Sequence, residues 1–167
     1  MHVGRSLALS CAAALIAAAT AGAAIPIKPI PIGPGGGTAT AELSSAAAAA
    51  RPVKLTLRAR YEMVCGRPGP GSVVVTLPAT ATVPQTIGTA TVLVNGRRAP
   101  AVSVDGHTIT VQLARRTGIL CDVVGPGTLQ LVFTPAAGLG NPASAGPYPV
   151  TIQRGRLTFH VSLEITA

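Results

Sequence analysis

The sequence contains very few aromatic and charged residues. Tryptophan is absent, two tyrosines and two phenylalanines make up the aromatic 2%, and charged residues reach 11% of the 167 positions, against about 25% in an average soluble domain. The scarcity of aromatic rings argues against sites that bind sugars or single-stranded nucleic acid by stacking. Only five residues are acidic, which leaves few carboxylates for general acid–base catalysis.

Motifs of catalysis and metal binding are also missing from the sequence. It contains no GxSxG, no HExxH and no phosphate-binding loop. Beyond the N-terminal segment the histidines are His107 and His160, and neither has a second ligand at the spacing of a zinc site. We therefore expect a non-enzymatic protein with no metal site and no cofactor. A small secreted hydrolase is the least favoured alternative.

Residues 1–24 have the pattern of a secretory signal peptide. Arg5 provides a short basic region, residues 7–19 form an apolar run, and residues 21–23 fit a small-x-small cleavage site. We expect this segment to be removed and the protein to be secreted, with a place outside the cytoplasm or at the cell surface. A retained membrane anchor and a lipid on Cys11 are the alternatives. No later segment is long and apolar enough to span a membrane.

Residues 25–52 predict a flexible linker rich in Pro, Gly and Ala. The stretch IPIKPIPIGPGGG alternates Pro and Ile, and each proline lacks an N–H donor and restricts the residue before it. The following AELSSAAAAAR has good helix propensity but no apolar face, so an isolated helix there is marginal. A short helix docked on the domain is the alternative.

After the linker, apolar and polar residues alternate with period two. Residues 53–62 place apolar side chains on one face and Lys54, Arg58 and Arg60 on the other, and residues 156–166 alternate in the same way. Such alternation is typical of strands with one buried face. Six more Val- and Thr-rich segments are separated by Gly or Pro: 72–77, 90–95, 101–104, 107–114, 128–133 and 148–153. We predict an all-β, two-sheet antiparallel sandwich of about seven to nine strands.

Two hairpin turns can be placed from the sequence. Asp105-Gly106 is a preferred dipeptide for a two-residue hairpin loop, and such a loop pairs Val104 with His107. The flanking strands then share one apolar face. Asn95-Gly96 marks a second turn of the same kind.

Three segments resemble secreted bacterial Ig-like surface domains. VLVNG (92–96) matches their V-x-V-N-G strand end, AGLGNPASAGPYPV (137–150) matches their closing A-G-x-x-N-P-x-x-A-G-x-Y-x-V hairpin, and SVDGHTITV (103–111) lies between them. The resemblance covers residues 53–167. It implies an Ig-like β-sandwich with a structural or adhesive role and no catalytic residues. We interpret the closing motif as structural, with Tyr148 as a core or corner aromatic.

Cys65 and Cys121 are the cysteines that remain once the signal peptide is removed. An even pair in an exported protein indicates a disulfide, and each cysteine lies beside a Gly/Pro turn. A thiol nucleophile or metal ligand is the alternative, and no Cys/His spacing supports it. We expect the Cys65–Cys121 disulfide.

Positive charge is the remaining functional signal. Without Arg5, twelve basic residues face five acidic ones, a net charge of +7. Seven of the basic residues lie on an outward strand face or beside turns: Lys54, Arg58, Arg60, Arg97, Arg98, Arg115 and Arg116. They predict contact with an anionic envelope polymer or lipid surface, and a solvated surface without a partner is the alternative. We expect no specific nucleic-acid binding because helical and aromatic readers are missing.

The sequence thus favours a secreted, non-enzymatic bacterial Ig-like domain with a structural or binding role at the cell envelope. The alternative is an exported inhibitor or ligand-binding sandwich that engages a protein partner. Loops 78–88 and 134–147 would form that contact.

Overall fold

The computed structural model describes residues 37–62, 71–114, 126–155 and 157–167. Within these ranges the chain forms ten strands and two short 3-10 helices, Thr89–Thr91 and Pro135–Ala137. The strands, in chain order, are β1 (Gly37–Leu43), β2 (Leu55–Glu62), β3 (Ser72–Thr76), β4 (Val92–Val94), β5 (Arg97–Arg98), β6 (Val102–Asp105), β7 (Thr108–Gln112), β8 (Pro126–Phe133), β9 (Gly146–Arg154) and β10 (Leu157–Ile165).

The strands form two five-stranded antiparallel sheets with the same plan. Sheet 1 has the order β1-β2-β8-β4-β5, and sheet 2 has the order β10-β9-β3-β7-β6. In each sheet, two pairs of consecutive strands flank one central strand, which is β8 in sheet 1 and β3 in sheet 2. All the remaining connections between consecutive strands pass from one sheet to the other. The prediction of a two-sheet antiparallel sandwich is confirmed, while the finer Ig-like assignment stays a prediction.

The core lies between the two sheets and is built from their inward side chains. Leu131 and Phe133 of β8 and Val73 and Val75 of β3 have no exposed surface. Because successive side chains of a strand point to opposite faces, the residues between them face outward. Burial of one such side chain stabilises the fold by about 1.5–3 kcal/mol. The alternation of apolar and polar residues in the sequence therefore gives each sheet one apolar face that is stabilised by packing against the other sheet.

The linker prediction for residues 25–52 is wrong for residues 37–52, which belong to the sandwich. β1 pairs with β2 along its whole length, and its inward Ala39 and Ala41 are buried. The docked-helix alternative is wrong for β1 as well. Residues 25–36 lie outside the described residues.

Close packing explains why β1 has such small inward residues. A Cβ atom added to Gly37 would lie 2.6 Å from the ring of Phe159 and 2.8 Å from the Arg60 carbonyl oxygen. A side chain at position 37 therefore does not fit where β1 packs against β10. The resulting Gly-Ala pattern has little hydrophobic contrast, and for that reason it resembles a linker in the sequence.

The Ala-rich segment 44–50 joins the edges of the two sheets. The Thr166 N–H donates to the Ala46 carbonyl and the Ala48 N–H donates to the Thr166 carbonyl, both at 2.8 Å. The buried Asn141 side chain donates to the carbonyl oxygens of Ser45, at 2.9 Å, and Ala47, at 2.8 Å. These bonds hold an irregular backbone in place despite the helix propensity of alanine. Asn141 of the closing motif therefore has a structural role.

The Asn95-Gly96 turn is confirmed. Both residues have positive φ, 48° and 79°, as a type I′ hairpin requires. The pairing of Val94 with Arg97 closes the two-residue loop between β4 and β5.

The turn predicted at Asp105-Gly106 lies one position further along the chain. Asp105 pairs with Thr108 and Val104 pairs with Ile109, so Gly106 and His107 occupy the loop and the predicted pairing of Val104 with His107 is wrong. Gly106 has φ +55°, and glycine in the first loop position is typical of type II′ hairpins. The shift of two positions in pairing leaves the same side chains facing the core.

Candidate anion-binding face

The outer face of sheet 1 carries exposed basic side chains. Arg58 and Arg60 alternate with buried apolar residues along β2, Lys54 directly precedes the strand, and all three side chains are exposed. Arg98 of β5 is exposed and pairs with Leu93, which pairs with Val132 on the outward side of β8. We call these four residues and their outward neighbours the basic face.

A shallow depression of about 560 Å³ lies over the middle of the basic face. Two rows of paired residues cross its floor. One row is Thr40, Arg58 and Gln130, and the other is Thr38, Arg60 and Thr128. The strand register therefore surrounds two guanidinium groups with hydroxyl and amide groups from β1 and β8.

Asn95 forms one side of the depression and attaches the β4–β5 turn to β8. Its side-chain amide donates to the Thr128 carbonyl at 3.3 Å, and its side-chain oxygen accepts from the Gln130 N–H at 2.7 Å. The Asn95 N–H also donates to the Gln130 carbonyl at 2.8 Å. The Asn-Gly signal identified the turn, whereas the contact with a strand 33 residues later in the chain has no local sequence signal.

The two arginines of the depression differ in their electrostatic surroundings. Arg58 forms an ion pair with Glu42 of β1, and both side chains are substantially exposed, at 46% and 39%. Exposed pairs of this kind stabilise by about 0–1 kcal/mol. Among the side chains that the structure describes, no carboxylate pairs with Arg60. Among the described side chains, Arg58 is thus partly neutralised by a carboxylate and Arg60 is not.

The other residues predicted for the anionic contact do not join this cluster. Arg97 is exposed on β5, but it pairs with Val94 and so has the opposite orientation to Arg98. Arg115 and Arg116 lie outside the described residues. Cys65 and Cys121 also lie outside them, and their disulfide stays a prediction.

The two histidines are far apart along the chain and have separate partners. The His107 Nε2 lies 3.2 Å from the Ala81 carbonyl oxygen, and the His160 Nδ1 lies 3.3 Å from the Thr151 hydroxyl. Within the described ranges, no three His, Cys, Asp or Glu side chains group closely enough to hold a metal ion. The same ranges contain no helix long and apolar enough to cross a membrane.

The outer face of sheet 2 has a different chemistry. Half of its outward strand residues are hydroxylated: Ser72, Thr76, Ser103, Thr108, Thr110, Thr151, Thr158 and Ser162. The charged side chains described on this face are Asp105 and Glu164, and the Ser162 hydroxyl donates to Glu164 at 2.9 Å. Arg154 lies in register with the inward residues of β9, half-buried, and desolvation by burial lowers the pKa of its guanidinium.

The two loops predicted to engage a protein partner lie side by side. Thr82 and Gly140 exchange backbone hydrogen bonds of 3.0 Å in both directions. Ile87, Leu139 and Pro142 from these loops are buried. The loops therefore form one closed end of the sandwich.

Comparison with known proteins finds no matching family model and no matching curated protein. The chain is similar to the crystal structure of BslA, a bacterial hydrophobin, with a TM-score of 0.45 and 20% sequence identity. The alignment covers 78% of this chain and 96% of BslA. Likeness at this level identifies neither a family nor an activity.

Proposed function

We propose that this protein is a secreted, non-enzymatic β-sandwich that binds an anionic polymer of the cell envelope through the basic face of sheet 1. The observation that carries the proposal is the difference in charge between the two outer faces. The described side chains of the basic face include four cations and one carboxylate, Glu42, while those of the opposite outer face include two carboxylates and no lysine or arginine. The signal-peptide pattern of residues 1–24 supports secretion.

The spacing of the basic side chains suits a chain-like partner. Lys54 and Arg60 are six residues apart along one strand direction, which corresponds to about 20 Å. A polymer with repeated negative charges can contact several of these side chains at once. Apolar anchors play little part, because the sequence has no tryptophan and few other aromatic residues.

The test is binding of the mature protein to purified anionic envelope polymer at increasing salt concentration. Between about 0.01 M and about 0.1 M salt the Debye length falls from about 30 Å to about 10 Å. We expect affinity to fall steeply over this range and to fall also in the double variant Arg58→Ser, Arg60→Ser. The matched control, Thr110→Ser with Thr158→Ser on sheet 2, should bind like the wild type. Absence of binding at low salt, or binding that is insensitive to salt, would contradict the proposal.

A protein partner at the paired loops is the second candidate. The observation in its favour is the direct contact between residues 78–88 and 134–147 through Thr82 and Gly140, which makes a single ordered surface from two segments. Substitution of the exposed Gln85 and Ser144 by the bulky, neutral Tyr would disrupt contact with a protein partner and, because it adds no charge, leave polymer binding unchanged. A partner captured by the wild type and released by this variant would support this candidate.

A further inference from the structure

We infer that the depression on the basic face is a binding site for an anionic sugar unit, with Arg60 as the contact for the negative group and Glu42 as the residue that limits the affinity. This inference rests on the proposed function and names its ligand more closely. The ligand class is a polysaccharide that carries carboxylate, sulfate or phosphate groups among its hydroxyls.

The groups that surround the two arginines match a sugar better than a lipid surface. The hydroxyls of Thr38, Thr40 and Thr128 and the amide of Gln130 both donate and accept hydrogen bonds. Of the remaining lining residues, Asn95 is polar, and Ala59 and Leu129 have buried inward side chains. The depression therefore offers no apolar side chain that could enter the acyl region of a membrane, and it offers several partners for sugar hydroxyls.

Recognition of this kind does not require aromatic stacking. The rows Thr40–Arg58–Gln130 and Thr38–Arg60–Thr128 place one cation between two neutral hydrogen-bonding groups, twice in succession. A charged sugar has the complementary arrangement, one anionic group beside neutral hydroxyls. Each unit would bind weakly, and a polymer gains affinity because neighbouring units bind in the same depression and along β2.

Arg60 rather than Arg58 is the contact for the anionic group. A guanidinium binds carboxylate, sulfate or phosphate through two parallel hydrogen bonds. The Arg58 guanidinium already donates to Glu42, so a ligand must compete with a carboxylate of the protein. Arg60 has no such partner among the described side chains, and its neighbours across the strands are Thr38 and Thr128.

Glu42 limits the affinity for two reasons. Its negative charge repels an anionic ligand, and it occupies a guanidinium that lies about 7 Å along the strand from Arg60. Removal of this carboxylate frees Arg58 to contact the same ligand. We therefore expect the neutral variant Glu42→Gln to bind an anionic polysaccharide more tightly than the wild type, with Arg58 as one source of the gain.

The experiment measures the affinity of the full mature chain for polygalacturonate, dextran sulfate, neutral dextran and phosphatidylglycerol vesicles. For the anionic polysaccharides we expect Arg60→Gln to lose about tenfold, the equivalent of about 1.4 kcal/mol, and Glu42→Gln to gain about threefold. The matched control Arg98→Gln removes the same charge from the same face outside the depression and should lose less than about threefold. In the Arg58→Gln background the gain from Glu42→Gln should be smaller than in the wild type, because only the repulsion by Glu42 is then removed.

A further variant separates sugar recognition from charge alone. Thr128→Val keeps the side-chain shape and removes a hydroxyl that a sugar can use. It should weaken binding to the polysaccharides and leave binding to vesicles unchanged. Equal effects of Arg60→Gln and Arg98→Gln would overturn the site and leave the proposed function standing. Preference for vesicles over polysaccharide would overturn the sugar assignment, and failure of the wild type to bind any anionic probe would overturn both.

Discussion

Sheet 1 and sheet 2 are built alike on the inside and differ on the outside. Each has two pairs of consecutive strands around one central strand, and both contribute aliphatic side chains to one core. The outer face of sheet 1 has guanidinium groups around a depression. The outer face of sheet 2 carries many Ser and Thr hydroxyls together with the carboxylates of Asp105 and Glu164.

This difference is possible because alternate residues of a strand have independent environments. Inward positions are constrained by close packing, while outward positions tolerate any residue that strands accept. On β2, Leu57 and Ala59 face the core and Arg58 and Arg60 face solvent within the same four residues. The fold therefore determines which residues of sheet 1 face outward, but it does not determine that these residues are basic.

The largest effect on stability is expected from removing β1, the edge strand of sheet 1. Deletion of residues 1–52 takes β1 from sheet 1, exposes the surface under Ala39 and Ala41, and leaves Asn141 without its carbonyl partners. Deletion of residues 1–36 takes none of these contacts. We expect the longer deletion to abolish a cooperative thermal transition or lower the free energy of unfolding by more than about 3 kcal/mol. A stable, cooperative fragment 53–167 would show that β1 is dispensable.

The equivalence of the two inner faces can be tested with one large-to-small substitution in each sheet. Phe133→Ala on β8 should cost about 3–5 kcal/mol and Ile152→Ala on β9 about 2–5 kcal/mol, because both side chains are fully buried. Denaturant titration measures the free energy of unfolding. Affinity of the folded protein for anionic polymer should not change. A selective loss of affinity in Phe133→Ala would link the core of sheet 1 to its outer face.

A smaller effect is expected where the two sheets are joined at their edges. Asn141→Ala removes the two hydrogen bonds that the buried Asn141 amide donates to the carbonyl groups of Ser45 and Ala47, and each such bond contributes about 0.5–1.5 kcal/mol. Thermal unfolding should show a clear destabilisation relative to the wild type. The exposed Ser144→Ala in the same loop is the control and should change stability by less than about 0.5 kcal/mol. Equal stabilities of the two variants would contradict the role of Asn141.

The smallest effect is expected from transferring charge to the other face. Thr108→Arg with Thr158→Arg gives the outer face of sheet 2 two cations that lie outside the depression of sheet 1. We expect a gain in polymer affinity of less than about threefold at low salt, lost at about 0.1 M salt because exposed charges are screened. Isothermal titration calorimetry at both salt concentrations measures it. A gain as large as the contribution of Arg58 and Arg60 would mean that charge alone suffices.

The sequence predicted the parts of this fold that have strong hydrophobic contrast. β2 and β10 alternate large apolar and polar residues, so their positions could be read locally. β1 could not, because Gly37, Ala39 and Ala41 on its inward side are small, and at Gly37 the ring of Phe159 across the sandwich leaves no room for a side chain. The turn at Gly106 was placed one position early, because an Asp-Gly loop and a Gly-first loop are both favourable in this sequence.

The candidate site was predictable only in part for a related reason. Arg58 and Arg60 share an outward face by period two, which the sequence alone indicates. Their neighbours Thr38 and Thr128 come from strands far away along the chain, and the register that brings them together depends on the whole sheet. Because the depression is made from three strands and a turn, no single segment of the sequence indicates it.

The central claim is that anionic polymer binds the outer face of sheet 1 and not that of sheet 2. Titration of the isotope-labelled mature protein with polygalacturonate at low salt, followed by the backbone amide signals in NMR spectra, tests this most directly. We predict that the largest shifts map to Arg58, Arg60, Thr128 and Gln130, and that Thr110 and Thr158 do not shift. Larger shifts on sheet 2, or equal shifts on both outer faces, would contradict the claim.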